Sequence, residues 1–156
     1  MAERDKPDAV VEVLEEMEDG SQVLIFRRMQ IGVDRLERDL KRSGYPARGI
    51  HGGLSQGERN SVMRSFRDGS LRILVATNVA ARGLDIPSIT HVINYDLPES
   101  AEEYVHRIGR TARMGNRGTA ISFVGEWDLD NLDRVLSKVG EDKIERKMLA
   151  IYDYSP

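Results

Sequence analysis

The sequence predicts a three-layer α/β fold, a mainly parallel β-sheet with helices on both faces, and two observations predict it. Short apolar runs resemble buried strands at residues 22–26, 47–51, 72–76, 91–95 and 119–124. Segments with helical spacing of apolar residues lie between most of these runs. Strands and helices that alternate in this way form parallel sheets, because each return to the same end of the sheet needs a crossover.

Each predicted helix has its own start or stop signal. Pro7 suits the first turn of a leading helix, and Gly44 ends the second helix. The third and fourth helices open with capping boxes, Ser55-Gln56-Gly57-Glu58 and Ser100-Ala101-Glu102-Glu103. A last helix is indicated by the apolar positions Leu129, Leu132, Leu136 and Val139. The helices should therefore begin and end close to these residues.

Composition and charge limit the function classes. The chain has 156 residues, no cysteine, no membrane-spanning apolar run and a polar N-terminus, so we expect one cytoplasmic domain away from membranes. Residues 1–20 hold eight acids and two bases, a net −6, which leaves +3 on the remainder of a chain of net charge −3. We divide the chain into an acidic leading helix (1–20), a mildly basic body (21–142) and an edge or tail (143–156).

Polar residues follow the predicted strands at the points where ligands gather in open parallel sheets. The four junctions are Arg27-Arg28, His51-Gly52-Gly53, Thr77-Asn78 and Asp96-Leu97-Pro98. Two of them lead directly into helix N-termini, which suit phosphate groups. The alternative is that these residues only cap helices. Several such junctions on one sheet edge favour a polyanion that crosses the edge.

Three arginines at three-residue intervals, Arg107, Arg110 and Arg113, add a second phosphate-binding signal. A guanidinium stays charged and pairs with phosphate oxygens through two parallel hydrogen bonds. The alternative is a solvated helix face with surface ion pairs.

Arg82 and Asp85 lie close together in the chain. They either contact a ribose and line a cleft, or form a local ion pair with each other. The three histidines have no metal-ligand spacing, so we expect no metal site.

Four segments together closely resemble the C-terminal, RecA-like domain of DEAD-box ATP-dependent RNA helicases. They are HGGLSQGERN, LVATNVAARGLDIP, VINYDLP and YVHRIGRTARMGNRG, in the order and spacing of that family from about residue 22 to 124. The turn after the first strand departs from the family, since Arg28 and its neighbours replace small polar residues. Gly53 departs too, because an acidic or polar residue is frequent there.

The resemblance implies a role for each matching residue. Arg110 and Arg113 match arginine fingers that reach the γ-phosphate of ATP bound to another domain. Nucleotide and interdomain contacts are implied for Asp85, Arg82, His106, Arg107 and Gly83. RNA-backbone contacts are implied for Gly53, Gln56, Arg59 and Thr77, and Arg28 adds charge beside them.

The 156 residues contain no G-x-x-x-x-G-K-[ST] loop and no Asp-Glu-Ala-Asp box. The resemblance therefore implies that ATP and Mg²⁺ are held mainly by an N-terminal RecA-like domain, which is the partner of this domain together with RNA. We expect the isolated chain to be a monomer that hydrolyses no ATP, and the chain itself to be a fragment. The alternatives are part of a superfamily 2 DNA translocase and a non-catalytic RNA- or protein-binding module.

Overall fold

A computed structural model describes residues 1–84, 86–98, 100–108, 118–125 and 128–139. Its strands are β1 (Val23–Phe26), β2 (Ala47–Ile50), β3 (Ile73–Ala76), β4 (His91–Asn94) and β5 (Thr119–Ser122). Its helices are α1 (Lys6–Glu16), α2 (Gln30–Arg42), α3 (Gln56–Arg67), the single turn α4 (Asn78–Ala81), α5 (Ala101–Ile108) and α6 (Leu129–Val139). All five strands predicted from the sequence are confirmed, and α4 is an addition. The predicted tail, residues 143–156, lies outside the described residues.

The five strands form one parallel sheet in the order β2-β3-β1-β4-β5. At the end of the central strand, Phe26 stands opposite Ala76 of β3 and Asn94 of β4. Ile50 of β2 stands opposite Ala76 in the same way. The carboxyl ends of four strands therefore meet at one edge, and the predicted parallel sheet is confirmed.

Alternate residues of β1 enter two separate apolar clusters. Leu24 and Phe26 pack with the buried face of α3, whereas Val23 and Ile25 pack with α1 and α2. Because successive side chains of a strand point to opposite faces, this division places helices on both faces of the sheet. The three-layer fold predicted from the sequence is therefore confirmed.

The acidic leading segment packs against the sheet through α1. Ala9 and Val10 are completely buried, and Lys6 is buried with its ammonium 2.6 Å from a carboxylate oxygen of Glu3. That ammonium also lies 5.5 Å from the centre of the Tyr95 ring.

Within the described ranges, every helix is too short or too polar to cross a bilayer.

Candidate functional site

The candidate residues gather at the edge where β1, β2, β3 and β4 end. The segments that leave this edge begin at Arg27, His51, Thr77 and Tyr95. The last turn of α5 joins them, because the buried side chain of Arg107 extends into the same region. The structure thus brings the four predicted junctions and one of the three spaced arginines together.

Arg107 lies inside this edge, with only 3% of its surface exposed. Its Nε donates to Oδ1 of Asn78 at 2.7 Å, and its Nη1 donates to the carbonyl of Asp96 at 2.6 Å and to Oδ1 of Asn94 at 3.3 Å. The guanidinium carbon lies 5.0 Å from the centre of the Phe26 ring. These contacts, which we call the Arg107 clamp, fix the last turn of α5 to β1, β4 and α4.

The clamp includes one residue, Asn94, that the sequence patterns do not single out as a site residue. Asn94 is completely buried in the core, and its Nδ2 donates to Oγ of Ser122 at 2.9 Å. A buried amide needs hydrogen-bond partners, so an asparagine within the apolar run HVINY was the available signal. The implied contact of Arg107 with another domain stays a prediction, since the described contacts are all within this chain.

Arg27 and Arg28 both contact the carboxylate of Asp96. Nε of Arg27 donates to Oδ2 at 2.9 Å, and the backbone N–H of Arg28 donates to the same oxygen at 2.7 Å. The Arg27 guanidinium also stacks 4.1 Å from the centre of the Tyr95 ring. Burial favours a higher pKa for Asp96, but these hydrogen bonds and the charge of Arg27 hold its pKa below the ordinary value.

The side chain of Arg28 is exposed at this edge, and its Nη2 donates to the carbonyl of Leu97 at 3.4 Å. The two neighbouring arginines thus differ in placement, because Arg27 points into the domain and Arg28 lies on its surface. The RNA contact of Arg28 stays a prediction.

His51 organises the loop after β2. Its Nδ1 accepts from the N–H of Gly53 at 3.0 Å, and its Nε2 lies 3.0 Å from Oδ1 of Asp34. With Nδ1 as the acceptor, the ring proton lies on Nε2, which donates to Asp34. A Cβ at position 53 would lie 2.9 Å from Cε1 of His51. Glycine therefore fits here where the family often has a larger residue, and the N–H of Gly53 is already bonded within the protein.

The predicted capping box at the start of α3 is confirmed. Oγ of Ser55 accepts from the N–H of Glu58 at 3.1 Å, and the Glu58 carboxylate accepts from the N–H of Ser55 at 3.4 Å. The next residue, Gln56, is exposed in the first turn, where its Nε2 donates to Asn60 at 2.8 Å. Gln56 is therefore accessible to a ligand at the sheet edge.

Arg59 links α3 to α4, because its Nη2 donates to the carbonyl of Ala80 at 2.9 Å. Thr77 is buried, and its Oγ1 accepts from the N–H of Ala80 at 3.3 Å, so its hydroxyl caps α4. Arg82 follows α4 and is exposed, and Gly83 adopts a φ of +80°, a left-handed conformation that glycine adopts readily. The RNA contact of Thr77 stays a prediction beside this capping role.

His106 is exposed in the last turn of α5, next to the Arg107 clamp. Asp85, Arg110 and Arg113 lie outside the described residues, and their implied roles stay predictions. Arg110 follows the clamped residue by only three positions in the sequence.

The chemistry of the described edge suits one of the two implied cofactors. Arg82 and His106 offer exposed nitrogen donors to a phosphate, whereas the Asp96 carboxylate is bonded to Arg27 and Arg28. In the part of the chain that the structure describes, no group of three His, Asp or Glu side chains is placed to hold a metal ion. Mg²⁺ prefers oxygen ligands, so these residues fit ATP phosphates from one side and do not fit Mg²⁺.

Comparisons with known proteins agree with this architecture. The family described as "Helicase conserved C-terminal domain" matches residues 5–115. The ATP-dependent RNA helicase CshA of Listeria monocytogenes is 42% identical over 151 residues, which cover 97% of this chain and 29% of that protein. The chain spans only 25–29% of the length of the first curated relatives.

Solved structures of DEAD-box proteins share the fold. The E. coli DEAD-box protein SrmB, bound to regulator of ribonuclease activity A, has a TM-score of 0.84 and 34% identity, over 99% of this chain and 91% of that chain. S. cerevisiae Dbp5, bound to RNA and ADP BeF3, has a TM-score of 0.84 and 37% identity, over 92% of this chain and 38% of that chain. The family match over most of the chain and this shared sheet lead to one conclusion: the chain belongs to the helicase conserved C-terminal domain family, as the C-terminal RecA-like domain of a DEAD-box RNA helicase.

Proposed function

We propose that this domain supplies arginine side chains for ATP hydrolysis and part of the RNA-backbone surface of an ATP-dependent RNA helicase. The observation that supports this most strongly is the Arg107 clamp. It anchors the last turn of α5 to the sheet edge through buried hydrogen bonds. The chain that leads to Arg110 and Arg113 therefore starts from a fixed point.

The proposed chemistry is charge stabilisation across a gap between two domains. An N-terminal RecA-like domain would hold most of the ATP and Mg²⁺, where ATP would supply the γ-phosphoryl group and Mg²⁺ would neutralise part of its charge. Arg110 and Arg113 would face the γ-phosphate, and Arg82 and His106 would contact the opposing domain. Because these groups come from a second domain, hydrolysis would require closure of the two domains.

The proposed RNA surface lies at the same sheet edge. Exposed Gln56 and Arg28 would donate to phosphate and sugar oxygens, and the exposed backbone of Gly53 would lie beside them. Contacts of this kind carry no base identity, so binding would tolerate most sequences. RNA that favours the closed state would thereby promote hydrolysis and duplex unwinding. We place this function in the cytoplasm, with the isolated domain a monomer.

One experiment tests the proposal and its alternatives. The chain alone is expected to show no ATP turnover, with or without RNA. The chain joined to a cognate N-terminal RecA-like domain is expected to hydrolyse ATP faster with single-stranded RNA than with DNA of the same sequence. If DNA stimulates ATP hydrolysis as strongly as RNA does, the DNA translocase alternative is favoured. If the joined protein hydrolyses ATP at a rate that RNA does not change, the proposed link between RNA binding and hydrolysis is contradicted.

A further inference from the structure

A groove of about 700 Å³ runs beside α3, outside the residues that the family resemblance assigns to RNA, apart from Arg59 at one end. Arg59, Arg64 and Arg67 belong to its polar lining, and Met63 and Leu84 supply its apolar part. We propose, on the basis of the proposed RNA helicase function, that this groove binds additional phosphates of the RNA strand and extends the RNA path along α3.

Helical spacing explains why these side chains share one face. Arg59, Met63 and Arg67 are four residues apart, and Arg64 is three before Arg67, so all four project along adjacent rows of the helix. Arg64 and Arg67 are exposed, and neither side chain makes a hydrogen bond or ion pair with another described residue. Two charged forks on this face are therefore available to a ligand.

The charge balance of the groove favours an anion. Among the described residues, the lining carries three arginines and one carboxylate, that of Asp68, a net charge of +2. Oδ1 of Asp68 accepts from the N–H and the hydroxyl of Ser70 at 2.8 and 2.6 Å. These hydrogen bonds lower the pKa of Asp68 and tie its charge to the turn after α3. The carboxylate is thus occupied in the turn, whereas Arg64 and Arg67 remain accessible.

Continuity with the sheet edge favours RNA over other anions. Arg59 belongs both to the implied RNA motif and to the groove, and its hydrogen bond to Ala80 fixes it at the junction of α3 and α4. From Arg59 to Arg67 the helix rises about 12 Å. A positively charged groove of this length that continues from the proposed RNA contact of Arg59 suits the backbone of a single strand.

The test compares two charge-matched double variants of this chain. Arg64→Gln with Arg67→Gln removes the groove charges. Arg35→Gln with Arg38→Gln removes two exposed charges from α2, which packs on the opposite face of the sheet. Fluorescence anisotropy measures affinity for a 16-nucleotide single-stranded RNA over a range of salt concentrations.

The groove variant is expected to bind RNA about 5–10-fold more weakly at low salt, and its log–log salt slope should fall by about 1.4, for two lost phosphate contacts. The α2 variant should keep the wild-type slope. A third variant, Arg64→Lys with Arg67→Lys, should keep most of the slope because the charge remains.

Three other results would count against the groove or against the proposed RNA surface. Equal losses in both glutamine variants would show a general charge effect and would overturn the groove. Wild-type affinity in the groove variant would also overturn it, as expected if the groove instead holds an acidic protein segment, while the proposed function would stand. An absence of RNA binding by the wild-type chain at low salt would count against the proposed RNA surface itself.

Discussion

The arginines of this domain fall into two groups that differ in environment. Arg27 and Arg107 are largely buried, where they stack on aromatic rings and donate to oxygens of the same chain. Arg64, Arg67 and Arg82 are exposed and have no side-chain partner among the described residues. The first group holds the sheet edge together, and the second is available to phosphates. Burial and partners, rather than residue type, distinguish the guanidinium groups that hold this edge together from those that are accessible to a ligand.

The largest expected effect that tests this difference is on stability. Arg107→Met leaves the buried oxygens of Asn94 and Asp96 without their donor, so the free energy of unfolding should fall by about 3 kcal/mol. Arg82→Gln, the matched exposed control, should change it by less than about 0.5 kcal/mol. Urea denaturation measures both. Equal stability of the two variants would contradict the structural role of the buried group.

A second, smaller effect depends on pH. The pKa of Asp96 is lower in the folded chain than its unfolded value of about 3.9, so its contribution to stability is present above that pH. The contribution is lost as pH falls through the folded pKa. Asp96→Asn should cost about 2 kcal/mol at pH 7, because it weakens charge-assisted hydrogen bonds to Arg27 and Arg28.

Urea denaturation of wild type and Asp96→Asn at pH 7, 5 and 3 measures this difference. The gap between the two proteins should narrow as pH falls below about 4. A gap that stays constant over this range would show that the charge of Asp96 does not stabilise the edge.

The smallest expected effect is that of Gly32→Ala on stability, and its sign should depend on whether Arg27 is present. A Cβ at Gly32 would lie 2.9 Å from the Arg27 guanidinium, so Gly32→Ala should disturb its contacts and destabilise the domain by about 1 kcal/mol. In an Arg27→Ala background the same change should stabilise α2 by up to about 1 kcal/mol, because alanine favours helix more than glycine does. A double-mutant cycle gives both values. Destabilisation of similar size in both backgrounds would exclude the contact with Arg27 as the cause.

The fold was predictable from local patterns. Runs such as VLIF and ILVA are buried over all four residues, and the Ser55 capping box marks the start of α3. These signals act over a few residues, so the sequence contains them directly. The helix α4 escaped prediction because one turn is too short for a periodic pattern.

The site was less predictable, because its contacts join residues distant in the chain. Arg107 belongs to a regular series of three arginines, and nothing in that spacing shows that its partners are Asn78 and Asn94, 29 and 13 residues away. Arg27 and Arg28 are adjacent, yet only the former turns inward. For Thr77, the alternative that it only caps a helix correctly describes its hydroxyl, which accepts from the N–H of Ala80. Its RNA contact stays a prediction.

In the proposed function, guanidinium groups of this domain act on ATP held by another domain. ATP turnover at saturating RNA tests it most directly, in the protein joined to its N-terminal domain, with Arg110→Ala and with the exposed control Arg35→Ala. We predict that Arg110→Ala lowers turnover about 10³–10⁵-fold with unchanged RNA affinity, while Arg35→Ala matches wild type. Wild-type turnover in Arg110→Ala, or a loss explained entirely by weaker RNA binding, would contradict the account.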